Sequence, residues 1–141
     1  MASNDLTRFV KAQQQSYSTA LREVRNGRKV SHWMWYIFPQ LRGLGMSSTA
    51  QYYGIRDLDE ARAYLSDPFL GPNLTEISQA LLNPETDDAM GIFGWPDVLK
   101  LRSSMTLFAL VSEDGSVFHL VLDKYYNGEP DEKTLELLKS R

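Results

Sequence analysis

The stretch from residue 96 to 112 constrains this fold more than any other part of the chain. Val98, Leu99, Leu101, Met105, Leu107, Phe108, Leu110 and Val111 leave almost no polar side on a helix of that length. A helix that is apolar all round must be covered on every side, so the rest of the chain has to wrap it. Two-residue alternation, the mark of a half-buried strand, is nowhere sustained. The material available for the coat is therefore helical.

Its pieces can be read from spacing and caps. Leu6, Phe9, Val10, Tyr17, Ala20, Leu21 and Val24 follow helical spacing, and Gly27 after Asn26 is a stop. In the aromatic segment 31–40, Ser31 is a candidate cap for a short helix that Pro39 ends. Gly43 and Gly45 make a loop, after which Ser47, Ser48 and Thr49 can cap a helix through Tyr53. Asp57 with Glu60 three positions on is a capping-box variant. Asp67 before Pro68 predicts another start, running to about Leu82 with an irregularity at Gly71 and Pro72. A short helix over 87–93 precedes Gly94, and two more follow the apolar one, with Val117, Val121 and Tyr125 and then Asp131, Leu135 and Leu138. The expectation is an all-α, compact single domain over 1–141, an array of seven or eight short helices around a central buried helix.

At 141 residues, 43% hydrophobic and 23% charged, the chain can bury a real core. It has no cysteine, so disulfide and thiol chemistry are excluded. The polar start over 1–8 has no signal-like apolar core, and the longest apolar runs fall short of a membrane span. These features predict a soluble, cytoplasmic protein without a membrane partner. With net charge −3 and one basic cluster (Arg22, Arg25, Arg28 and Lys29), no basic stripe for nucleic acid is evident. That cluster also complements a helix C-terminus.

Two segments are specific enough to carry a resemblance. One is the run Ser31-His32-Trp33-Met34-Trp35-Tyr36-Ile37-Phe38-Pro39-Gln40-Leu41, followed by Gly43-Leu44-Gly45 and Tyr53-Gly54-Ile55. The other is Ile92-Phe93-Gly94 with Asp97, Lys100, Leu101 and Ser103-Ser104-Met105-Thr106-Leu107-Phe108. Together they resemble a small bacterial family of unknown function whose members are all-helical, some of them labelled "calpastatin". The resemblance implies the fold and brings no activity or catalytic residue. The label itself conflicts with composition, since calpain inhibitors of that name are long, repetitive and disordered.

Three constellations are candidates for chemistry. If the segment from Ser31 to Ile37 is helical, His32, Trp35 and Tyr36 share a face, where an imidazole beside two rings can line a pocket for a planar ligand. The same pattern also fits an aromatic core with a structural histidine. The loop from Leu41 to Thr49 presents Arg42, Gly43, Gly45, Ser47 and Ser48, which suits either an anion site or a tight turn with an ordinary cap. It lacks the Gly-Lys-Ser/Thr ending of a P-loop and the strand of a dinucleotide fingerprint. On the apolar helix, Asp97, Lys100 and Ser104 form one narrow polar stripe. The two charges must pair with each other or face a cleft, because buried charges are costly alone.

Two histidines without cysteine make a transition-metal site unfavourable, and no cofactor is implied. The expected function is binding of, or action on, an anionic small molecule such as a nucleotide-like metabolite. His32, Asp97 and Lys100 are the catalytic candidates. Trp35, Tyr36, Arg42, Gly43, Gly45, Ser47, Ser48 and Ser104 are the ligand-binding ones. The alternative is a helical protein-interaction module. A ligand site requires the three segments to converge on one concavity, whereas an interaction module requires an exposed apolar patch.

Overall fold

Helix α7, Asp97–Ala109, runs through the middle of the molecule, with Leu101 and every residue from Ser103 to Ala109 buried. This computed structural model describes residues 5–141, so the first four positions of the expected domain and of its polar start lie outside the described residues. The described residues form eight further helices, α1 (Thr7–Arg25), α2 (Met34–Ile37), α3 (Ser48–Tyr53), α4 (Leu58–Ser66), α5 (Leu70–Ala80), α6 (Ala89–Phe93), α8 (Val117–Tyr126) and α9 (Glu132–Leu138), of which α4, α6, α8 and α9 pack most closely on α7. The fold is all-α. Among the described residues the one ladder-like element is an isolated parallel bridge between Leu41 and Ile55.

Most helix starts follow from local chemistry. Ser47, Asp57, Asp88, Ser116 and Asp131 each accept a hydrogen bond from the amide three residues on, which satisfies one of the free N–H groups at a helix start. The stop after α1 is also local. Gly27 takes the left-handed conformation (φ 77°), so its amide reaches the Val24 carbonyl and that of Arg28 reaches Glu23.

Two starts differ from expectation. Ser31 caps nothing: α2 begins at Met34, and the Ser31 hydroxyl donates to Glu23 instead. The helix predicted from Asp67 begins at Leu70, because the Asp67 carboxylate holds the Phe69 and Leu70 amides across a turn that contains Pro68. Pro72 then sits in the first turn of α5, where its missing N–H costs nothing. Gly71 is required by packing. A Cβ there would lie 2.1 Å from the Leu65 carbonyl oxygen at the end of α4.

The core is one contiguous apolar cluster. Around α7, Phe108 lies 5.3 Å from the ring of Tyr64 on α4 and 5.9 Å from Phe118 on α8. Trp33 and Phe38, flanking α2, are buried against Phe93 of α6. Helix α3 is the exception. None of its residues is buried, and it leans on α2 as an outer wall.

Candidate functional site

The side chains that matter for chemistry are placed by a carboxylate that spacing alone did not single out. Glu23, in the last turns of α1, is buried. Its Oε1 accepts from the Val30 and Ser31 amides (2.8 and 2.9 Å) and from Trp33 Nε1 (2.9 Å), while Oε2 accepts from Ser31 Oγ (2.6 Å). Burial pushes the Glu23 carboxyl up, but these donors outweigh it and hold it down at about 2. Four donors on one anion fix the segment from Val30 to Trp33 in a non-helical path.

That path carries Lys29 inward. Its Nζ lies 2.8 Å from Asp97 Oδ2, and its side chain is only 8% exposed. The ammonium also stands 5.1 Å from the centre of the Trp33 ring, within cation–π reach. Lys29 is thus not part of a surface basic cluster. It is the close partner of Asp97.

Lys100, one turn along α7, is the looser partner. Its Nζ is 3.6 Å from Asp97 Oδ1, with 22% of the side chain exposed. It sits 5.0 Å from the centre of the Trp35 ring. Among the described residues its ammonium donates no hydrogen bond. Two ammonium groups therefore share one carboxylate, and the unshared positive charge is the one that faces outward.

Lys100 opens on a narrow cleft between α2, α3 and α7. Met34, Trp35 and Phe38 form one side, and Tyr53 and Gly54 at the end of α3 form the other. Gln40 completes the rim, and Lys100 is the sole charged residue of the lining. The space is about 240 Å³ including its open mouth, and its enclosed end has room for about one water. Burial raises the Tyr53 phenol above its ordinary range, so it stays neutral there.

The structure brings together some of the expected residues and separates others. Trp35 and Lys100 meet at the cleft, with Asp97 behind Lys100. His32 does not join them. It precedes α2 and is exposed, and its carbonyl oxygen rather than its ring meets Tyr36 Oη, at 3.5 Å. The expected shared face of His32, Trp35 and Tyr36 fails because Glu23 claims the preceding amides and the helix starts only at Met34. Tyr36 points its hydroxyl to Ser16 Oγ, 3.1 Å away.

The glycine loop supplies no residue to the cleft lining, although it packs against Gln40, Ala50 and Gly54 of it. Arg42 Nη2 donates to the Gly54 carbonyl at 3.2 Å, and Ser47 Oγ is engaged by the Ala50 amide. Ser48 is exposed at the start of α3. Gly43 is required by its left-handed backbone (φ 108°), and Gly45 by packing, since a Cβ there would lie 2.7 Å from Ala50 Cβ. Ser104 is fully buried one turn beyond Lys100, and its hydroxyl has no hydrogen-bond partner.

Lys29, Glu23, Gln40 and Tyr53 were not singled out as site residues by spacing. Gln40 and Tyr53 do fall in the segments that carry the family resemblance. No group of metal-ligating side chains occurs among the described residues, and none of their helices is long and apolar enough to cross a membrane.

A family model described as "Protein of unknown function (DUF1810)" matches residues 3–138. The crystal structure of the conserved hypothetical protein Rv1873 from Mycobacterium tuberculosis superposes with a TM-score of 0.93. It is 49% identical and covers 96% of each chain. Neither description carries a calpastatin designation or an activity. No curated protein matches this chain.

Proposed function

We propose, for this chain, which belongs to the DUF1810 family of proteins of unknown function, that the cleft between α2, α3 and α7 binds a small anionic molecule. Lys100 is the charge anchor, and Trp35 is the apolar surface beside it. The observation that carries this reading is the two-to-one ratio of ammonium to carboxylate. Asp97 is already engaged by Lys29 at 2.8 Å, so the partly buried Lys100 has spare charge and, among the described residues, no hydrogen-bond acceptor. A buried or half-buried cation of that kind gains from any anion that completes it. Asp97 and Lys29 act by positioning Lys100, and His32 takes no part. The role proposed is binding: besides Lys100, the titratable group of the lining is the Tyr53 phenol, which burial keeps neutral.

The test is a thermal-shift series with small carboxylates and phosphates. A ligand that binds only the native state raises the melting temperature. The shift is expected to vanish in Lys100→Met and to survive in Arg42→Ala and His32→Gln. Shifts unaffected by Lys100→Met, or lost with Arg42→Ala, contradict the assignment.

A second reading, a protein-docking role, rests on a separate observation. Trp95 is 68% exposed, and Leu99, one turn further on, is 46% exposed. An exposed indole beside an exposed leucine is the kind of anchor interfaces use. Trp95→Ser should leave every anion shift unchanged, which separates the two readings.

A further inference from the structure

We propose that the ligand of this cleft is a small planar monocarboxylate, an aromatic or conjugated acid, rather than a phosphate ester or nucleotide. The inference rests on the reading of the cleft as an anion site and narrows its ligand by charge, donors and walls.

The charge surplus at the site is one. Two ammonium groups oppose the Asp97 carboxylate, and the cleft lining adds no further charge. A monoanion neutralises that surplus, and a phosphate dianion would leave a net negative charge in a half-buried place. The glycine-loop groups that a phosphate would use also lie outside the cleft lining. The Arg42 guanidinium is drawn to the Gly54 carbonyl, and the Ser47 hydroxyl is held as a helix cap.

Two donors remain. The Lys100 ammonium and the Gln40 side-chain amide both line the cleft, and neither is hydrogen-bonded to another described residue. A carboxylate has two oxygens in one plane and can accept from both. The remaining walls are the rings of Trp35, Phe38 and Tyr53, which favour a flat apolar body. The enclosed end holds only about one water, so the ligand lies in the open mouth, flat against these rings. Met34 at the cleft floor is a flexible side chain that can yield to a thin ring.

The test is isothermal titration of the full chain with benzoate, benzamide, inorganic phosphate and adenosine monophosphate. Benzoate should bind saturably, and benzamide, its uncharged counterpart of similar shape, at least tenfold more weakly. Phosphate and the nucleotide should not bind measurably. Lys100→Gln should weaken benzoate at least tenfold, and Gln40→Leu several-fold. Lys100-dependent binding of phosphate or adenosine monophosphate without benzoate overturns the ligand class while leaving the anion site standing. Benzamide binding as tightly as benzoate, or no anion binding at all, overturns both. The comparison of benzoate with benzamide uses the unaltered protein, so it decides the matter even if a variant folds poorly.

Discussion

Replacing Glu23 with glutamine tests the hinge on which the site is hung. The carboxylate receives four hydrogen bonds, all from donors, within 2.6–2.9 Å. A glutamine would turn its NH₂ toward at least one of those donors and lose the charge that strengthens the rest. The drop of the Glu23 carboxyl from its ordinary 4.5 to about 2 corresponds to about 3 kcal/mol of folding stability. Because the folded value lies below the ordinary one, this contribution is complete above about pH 4.5 and is lost as pH falls toward 2. Urea unfolding of the parent and Glu23→Gln should differ by about 3 kcal/mol at pH 7, and by about half that at pH 3. A gap under about 1 kcal/mol at pH 7, or one that does not shrink on acidification, would refute the account of this hub.

The two lysines should behave unequally in the same assay. Lys29→Met leaves Asp97 with only its distant partner and should cost about 2–4 kcal/mol, whereas Lys100→Met should stay within about 1 kcal/mol. Equal penalties would mean that Lys100 is structural. Ser104→Ala removes a buried hydroxyl without a partner and should be neutral or stabilising by up to about 1 kcal/mol; a clear loss of stability would show that the hydroxyl is satisfied. Gly54→Ala places a Cβ 2.6 Å from Arg42 Cβ and 2.7 Å from its Cα, so about 1–3 kcal/mol should be lost in thermal or urea unfolding. An alanine variant as stable as the parent would show that the strand-like contact between Leu41 and Ile55 can move apart freely.

Helices with a capping residue at the right spacing were legible in the chain, because a cap is a contact over three residues. Ser47, Asp57 and Asp131 are cases where sequence and structure coincide. The buried helix was legible too, although Leu99 and Leu110, read as covered, are exposed near its two ends. What spacing could not show were contacts between distant segments. Lys29 and Asp97 lie 2.8 Å apart, yet nothing local to either position points to the other. The sequence pattern joined Asp97 to Lys100 because they are a turn apart, and the tertiary partner won the shorter contact. The placement of His32 failed for a related reason. Whether the segment after Ser31 is helical depends on Glu23, eight residues earlier, which takes its amide for itself. The cleft was visible only in part, as Trp35 and Lys100, because α3 brings Tyr53 and Gly54 to it through the turn of the intervening loop.

The central claim, an anion site at Lys100 beside Trp35, is tested most directly by following the indole N–H signals of the three tryptophans in ¹H–¹⁵N spectra during benzoate titration. Trp33 is buried with its N–H held by Glu23, and Trp95 is exposed outside the cleft lining, so both serve as internal references. The account predicts a saturable shift of the Trp35 signal, small or no movement of the other two, and loss of the response in Lys100→Met. Movement of the Trp95 signal alone, or a Trp35 response unchanged by Lys100→Met, would contradict it.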